Sequence, residues 1–176
     1  MEKQVWYRNP EMLVALSAIV TSVVAVVVSI YSAYVDRSYA RASVWPSIMI
    51  AQSHLGSHLK YVVINQGTGP ALIKYARIGT SSNYYPTWRA LITDAGFANA
   101  SYTQAHISSG VVRASQEIVA FETRNEDLIT ALDNVLVNAE ICYCSIYEEC
   151  WISTGGMVTR SVEACTLPPA TERFKQ

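Results

Sequence analysis

The stretch Met12–Val35, MLVALSAIVTSVVAVVVSIYSAYV, sets the architecture of this chain. No charged residue occurs between Glu11 and Asp36. At about 1.5 Å rise per residue a helix over this run spans roughly 36 Å, enough to cross a hydrocarbon core of about 30 Å with some tilt. A core helix of this length shows a polar face, and none is visible here. A secretory signal has an apolar region of about 7–15 residues followed by a small-residue cleavage site. Ala40-Arg41-Ala42 imitates such a site, but the apolar run is too long. The expectation is a retained transmembrane anchor over residues 12–35, with residues 1–11 as its N-terminal flank.

Within the anchor Ala18, Ser22, Ala25, Ser29 and Ala33 share one helical face. Small residues at such spacing let two helices approach closely in a bilayer, so self-association or docking on another membrane subunit is one reading. Chance alignment of common residues is the other. Trp6, Tyr7, Tyr31 and Tyr34 lie near the two ends, where aromatic rings favour the headgroup interface. Lys3 and Arg8 on one flank balance Arg37 and Arg41 on the other, so the positive-inside rule gives a tie.

Outside this run the chain is close to neutral, with a net charge of −1. It carries no Lys/Arg cluster, which argues against nucleic acid as a partner and against reading of anionic headgroups. The charged fraction is 15%, below the roughly 25% of ordinary soluble domains, and the deficit lies in the anchor.

A polar linker is expected over residues 36–44, and Trp45-Pro46 ends the helix because a residue before proline is pushed from the α region. The rest reads as strands: Ser47–Gln52, Leu59–Asn65, Ala71–Thr80, His106–Val112, Gln116–Glu122, Val135–Ile146, Cys150–Ser153 and Met157–Val162. Asn65-Gln66-Gly67-Thr68-Gly69-Pro70 and Gly155-Gly156 read as turns. Short helices are expected over Thr87–Ala95, with Trp88, Leu91 and Ile92 on one face, and over Asn125–Asn134. These strands, joined by local reversals, predict a mainly-β fold, an immunoglobulin-like β-sandwich over residues 45–166, with a disordered tail over 167–176.

The run Ser43-Val44-Trp45-Pro46-Ser47-Ile48, the turn Asn65–Ala71, and the late Tyr143-Cys144-Ser145-Ile146-Tyr147 leading into Cys150-Trp151 resemble motifs of a scattered group of small bacterial membrane proteins of unknown function. The resemblance implies a single-pass protein of the bacterial inner membrane. It tilts the soluble domain toward the cytoplasm, with the periplasm as the alternative, and it implies no activity.

Motifs for chemistry are sparse. Cys142, Cys144 and Cys150 are spaced C-x-C-x5-C, with Cys165 beyond. Three readings stand: thiols filling a core face, a cross-hairpin disulfide between Cys144 and Cys150, or a metal site that lacks a paired knuckle. The first is preferred, and neither a metal nor a cofactor is expected. His54, His58 and His106 read as ordinary surface histidines. The Asn65–Pro70 loop is glycine-rich but lacks the Gly-Lys-Ser/Thr that opens a phosphate-binding helix. Tyr84, Tyr85, Trp88 and Phe97 gather in an irregular region, either as core or as an exposed partner patch.

The expected function is a non-enzymatic interaction or scaffold module, binding a protein partner or forming a homo-oligomer. A ligand-gated membrane effector, for example in bacterial defence, is the alternative. A thiol or metal enzyme comes third.

Overall fold

The computed structural model describes residues 10–81, 83–135, 137–155 and 158–176. Lys3, Trp6, Tyr7 and Arg8 of the flank, Gly156 of the glycine pair and Met157 of the last expected strand lie outside them. The chain divides into two units, Met1–Ala42 and Ser43–Gln176.

The first unit is a helix, α1 (Pro10–Ser43), with a mean hydropathy of 2.7 over its most apolar window and no buried residue. Pro10 opens it, where a missing N–H costs no intrahelical bond. Glu11 in the first turn and Arg41 in the last complement the helix dipole. The helix is therefore long and apolar enough to cross a membrane. It also runs through the expected linker to Ser43, because residues 36–43 contain no proline or glycine to interrupt the hydrogen-bond ladder.

The second unit is built on antiparallel sheets. In chain order it holds β1 (Ile48–Leu55), β2 (His58–Asn65), β3 (Ala71–Gly79), β4 (Tyr84–Tyr85), α2 (Trp88–Asp94), β5 (Tyr102–Gln104), β6 (Gly110–Val112), β7 (Glu117–Thr123), α3 (Glu126–Val135), β8 (Asn138–Cys144), β9 (Cys150–Thr154) and β10 (Val158–Val162). One sheet has the order β1-β2-β7-β5, the other β10-β9-β8-β3-β4, with β6 also on β3. Strands β4 and β5 are too short to leave an alternating pattern, and the expected strand from His106 begins only at Gly110.

Both sheets contribute to one core. Ile48, Ile50, Leu59, Tyr61, Val63 and Phe121 of the first sheet cluster with Ile73, Ile78, Ile141 and Tyr143 of the second. The Ile48 N–H donates to the Tyr143 hydroxyl at 3.2 Å, a bond between the sheets. Trp88, Leu91 and Ile92 seat α2 in this core, as their spacing predicts. Thr87 caps the start of α2 by accepting from the Ala90 N–H at 3.1 Å. Gly96, at φ +91, ends it in the left-handed region.

Trp88 stacks on Tyr61, at 5.6 Å between ring centroids, and packs tilted against Phe121, at 4.7 Å. Its buried indole N–H has no hydrogen-bond partner among the described residues. Trp88→Phe is therefore expected to cost only about 1–2 kcal/mol, less than the ring's size suggests, because it removes an unsatisfied donor together with apolar area. Urea unfolding followed by near-UV circular dichroism checks this.

The glycine turn after β2 lies against the chain segment that enters the domain. A Cβ at Gly69 would collide with the Val44 backbone, and one at Gly67 with the backbone of Trp45–Ser47. Asn65, fully buried, holds the turn shut, and the N–H groups of Thr68 and Gly69 donate to the Trp45 carbonyl at 2.9 and 3.2 Å.

The C-terminal segment is not disordered. Phe174 is buried beside Trp88, its N–H donates to the Ala76 carbonyl at 2.9 Å, and the Ile107 N–H donates to the Gln176 carbonyl at 3.0 Å. Arg77 adds ion pairs to Glu140 of β8 (2.8 Å) and Glu172 of the tail (3.0 Å). The buried Phe174 ring and these bonds together anchor a segment whose composition is otherwise that of a loose tail.

Candidate functional site

Strand β8 alternates cleanly. Ile141 and Tyr143 face the shared core, while Cys142 and Cys144 face the opposite side of the sheet. There Cys142 packs with Tyr75 of β3 and Ile152 of β9, and the segment after β10 crosses over them. That crossing brings Cys165 onto Cys142, and the two form a disulfide spanning 23 residues.

Cys144 pairs with Cys150, its directly opposite residue across the β8–β9 hairpin. The turn between them is closed by Ser145 N–H to Glu149 O at 2.8 Å and Glu148 N–H to Ser145 O at 3.1 Å. The cross-hairpin pairing is the one sequence spacing suggested. The Cys142–Cys165 pairing depends on the path of residues 163–167, for which no local signal exists. All four cysteines are thus disulfide-bonded, which replaces the preferred reading of core thiols.

The two disulfides touch. Cys144 Sγ lies 3.7 Å from Cys165 Sγ, and the sulfurs of Cys144, Cys150 and Cys165 all lie within 4.8 Å of one another. They form the floor of a cleft of about 630 Å³. Its walls are Leu72, Ile146 and Leu167, and its charged rim is Lys74, Glu148 and Glu163. Apolar walls with a few polar groups, at this volume, are the usual make-up of a binding pocket. The hydroxyl of Tyr75, whose side chain packs with Cys142, donates to Glu140 at 3.0 Å. Burial first, and then that hydrogen bond, push its pKa up to about 12, so it remains a donor at any physiological pH.

No protein-family model, curated protein or solved structure matches this chain. The resemblance to small bacterial membrane proteins therefore rests on its own motifs. Two of these, Val44-Trp45-Pro46 and Asn65–Pro70, meet in the structure as the packed joint at the start of the domain.

The other singled-out residues divide. Of the aromatic group, Trp88 is core, Tyr85 and Phe97 pack against the core, and Tyr84 alone is exposed, with Arg77 4.7 Å above its ring. Of the two readings of this group, core packing describes Trp88, Tyr85 and Phe97, because α2 turns its apolar face inward, and only Tyr84 is left on the surface. Along α1 the Ala18, Ser22, Ala25, Ser29, Ala33 stripe is intact and exposed. Ser22 donates to the Ile19 carbonyl and Ser29 to the Ala25 carbonyl, both at 2.8 Å. These hydroxyls are satisfied within the helix and leave the face effectively apolar.

Each histidine is engaged locally. His54 meets Asp133 at 3.3 Å, His58 meets Glu122, and His106 meets Ser109 at 2.8 Å. The hydrogen bond from His58 holds the Glu122 carboxyl below its ordinary pKa. None of the three lines the cleft.

Proposed function

We propose that this chain is a membrane-anchored, non-enzymatic interaction module whose β domain, an immunoglobulin-like sandwich, stands on the oxidising side of the membrane and binds a protein partner at the disulfide-floored cleft. The observation that carries this reading is the cleft itself: apolar walls, a mixed-charge rim and a floor of two disulfides. Disulfides persist in oxidising compartments and are rare in the reducing cytosol. They weigh against the cytoplasmic orientation that the sequence resemblance favoured. The helix α1 serves as a single-pass anchor, and its small-residue stripe supports self-association within the bilayer.

The test uses the full chain in a Gram-negative host and a membrane-impermeant maleimide. Labelling in spheroplasts that occurs only after reductant is the expected result. Labelling in inverted vesicles without reductant overturns the orientation. In the same membranes, Ala25→Leu with Ser29→Leu is expected to lower the yield of crosslinked dimer several-fold. An unchanged yield removes the stripe from the proposal.

A further inference from the structure

We propose that the four cysteines form a thiol–disulfide exchange site that accepts two electrons from a dithiol entering the cleft and moves the surviving disulfide to Cys144–Cys165. This goes beyond partner binding and does not rest on it.

The geometry is a contact between two disulfides that share no cysteine. Cys144 and Cys165 belong to different bridges, yet their sulfurs are 3.7 Å apart. A bonded pair sits at about 2.05 Å, so a shift of about 1.7 Å joins them. Cys144, Cys150 and Cys165 line the cleft, while Cys142 is fully buried. An incoming thiolate can therefore open either disulfide, and both openings lead to one product.

In the first, a thiolate of the dithiol attacks Cys150 Sγ, the Cys144–Cys150 bond breaks, and Cys144 leaves as a thiolate. The second thiol of the reductant attacks the mixed disulfide and releases Cys150, which takes a proton. The dithiol is now a disulfide. Cys144 then attacks Cys165 Sγ, the Cys144–Cys165 bond forms, and Cys142 leaves and takes a proton. In the second, the dithiol reduces Cys142–Cys165 by attack on Cys165. The Cys165 thiolate then attacks Cys144 and expels Cys150. Either way one disulfide is consumed, the dithiol loses two electrons and two protons, and the protein holds thiols at Cys142 and Cys150.

Both leaving thiols have suitable surroundings. Cys142 sits among Tyr75 and Ile152, an apolar setting that suits a neutral thiol. Cys150 Sγ lies 3.4 Å from the Glu148 carbonyl, an acceptor ready for its S–H. Lys74 on the rim favours the thiolate form of an incoming dithiol, while Glu148 and Glu163 oppose it. The exchange has a structural consequence. It moves the anchoring point of Cys165 two residues along β8, about 7 Å. Since Glu163 and Leu167 flank that cysteine and wall the cleft, its shape follows the redox state.

The test takes the oxidised full chain in detergent, treats it with limiting dithiothreitol, and traps free thiols with N-ethylmaleimide. Chymotryptic cleavage after Tyr143, Tyr147 and Trp151 places the four cysteines on separate peptides for mass mapping. The species carrying two labels is expected to bear them on Cys142 and Cys150, with Cys144 and Cys165 crosslinked. Two-label species confined to the native pairs, Cys144 with Cys150 or Cys142 with Cys165, overturn the proposal. Cys150→Ser gives an independent reading. It is expected to label at Cys142 and retain a Cys144–Cys165 bridge, whereas label at Cys144 alone overturns it.

Discussion

Asn65→Ala is expected to destabilise the β domain by about 4 kcal/mol, a large share of the stability of a domain this size. The Asn65 side chain uses its whole hydrogen-bonding capacity in a buried site. Its Oδ1 accepts from the N–H groups of Ser47 (3.1 Å) and Gly67 (3.0 Å). Its Nδ2 donates to the carbonyls of Gly69 (2.8 Å) and Val112 (3.0 Å). The residue thereby ties together the entry to β1, the glycine turn and the end of β6. Alanine leaves four backbone groups without that partner, and each unmet group costs about 1–3 kcal/mol before water relieves part of it. Asn65→Asp keeps the acceptors but turns a carboxylate toward two carbonyls, so it is expected to do at least as much damage. Urea unfolding of the full chain in detergent, read by tryptophan fluorescence, measures both. A loss under about 1 kcal/mol for alanine would mean that water replaces the amide, and would remove Asn65 as the keystone of this corner.

The second large effect is expected from Cys142→Ser combined with Cys165→Ser. In the chain-entropy account, a bridge over 23 residues restricts the unfolded chain by about 3 kcal/mol, and one over 6 residues by about 2 kcal/mol. The true gap is expected to be wider, because the β8–β9 hairpin is already closed by its own ladder and turn bonds. The long bridge also covers the outer face of the sheet and fixes the segment leading to Phe174. Removing it is therefore expected to raise tryptic cleavage at Arg173 several-fold, while Cys144→Ser with Cys150→Ser leaves that cleavage near its original rate. Equal losses and equal cleavage in the two double variants would show that the long bridge does not hold the tail.

Much of this fold is readable where a physical cause acts over a few residues. The helix α1 announces itself through an unbroken uncharged run, and it ends at Ser43, just ahead of the Trp45-Pro46 stop, after running through the residues read as a linker. The helix α2 is legible from the spacing of Trp88, Leu91 and Ile92, and the same face explains why Trp88 is core. Asn65 was visible as a turn residue, but its four partners come from places as distant as Ser47 and Val112. The Cys144–Cys150 pair was suggested by the hairpin around it, whereas Cys142–Cys165 was not, since nothing local says where residues 163–167 run.

Local composition and period thus determined a membrane-length helix, a β-rich domain, most strand positions and the absence of any familiar phosphate or nucleic-acid motif. The tertiary structure decided how the strands divide between two sheets, which face of β8 the cysteines occupy, and that two disulfides meet at the floor of one cleft. Hydrogen-bond ladders and side-chain periods are set by near neighbours. The choice of which distant segment covers a sheet face depends on which arrangement buries the most apolar area with every polar group paired, and that comparison exists only once the chain is folded.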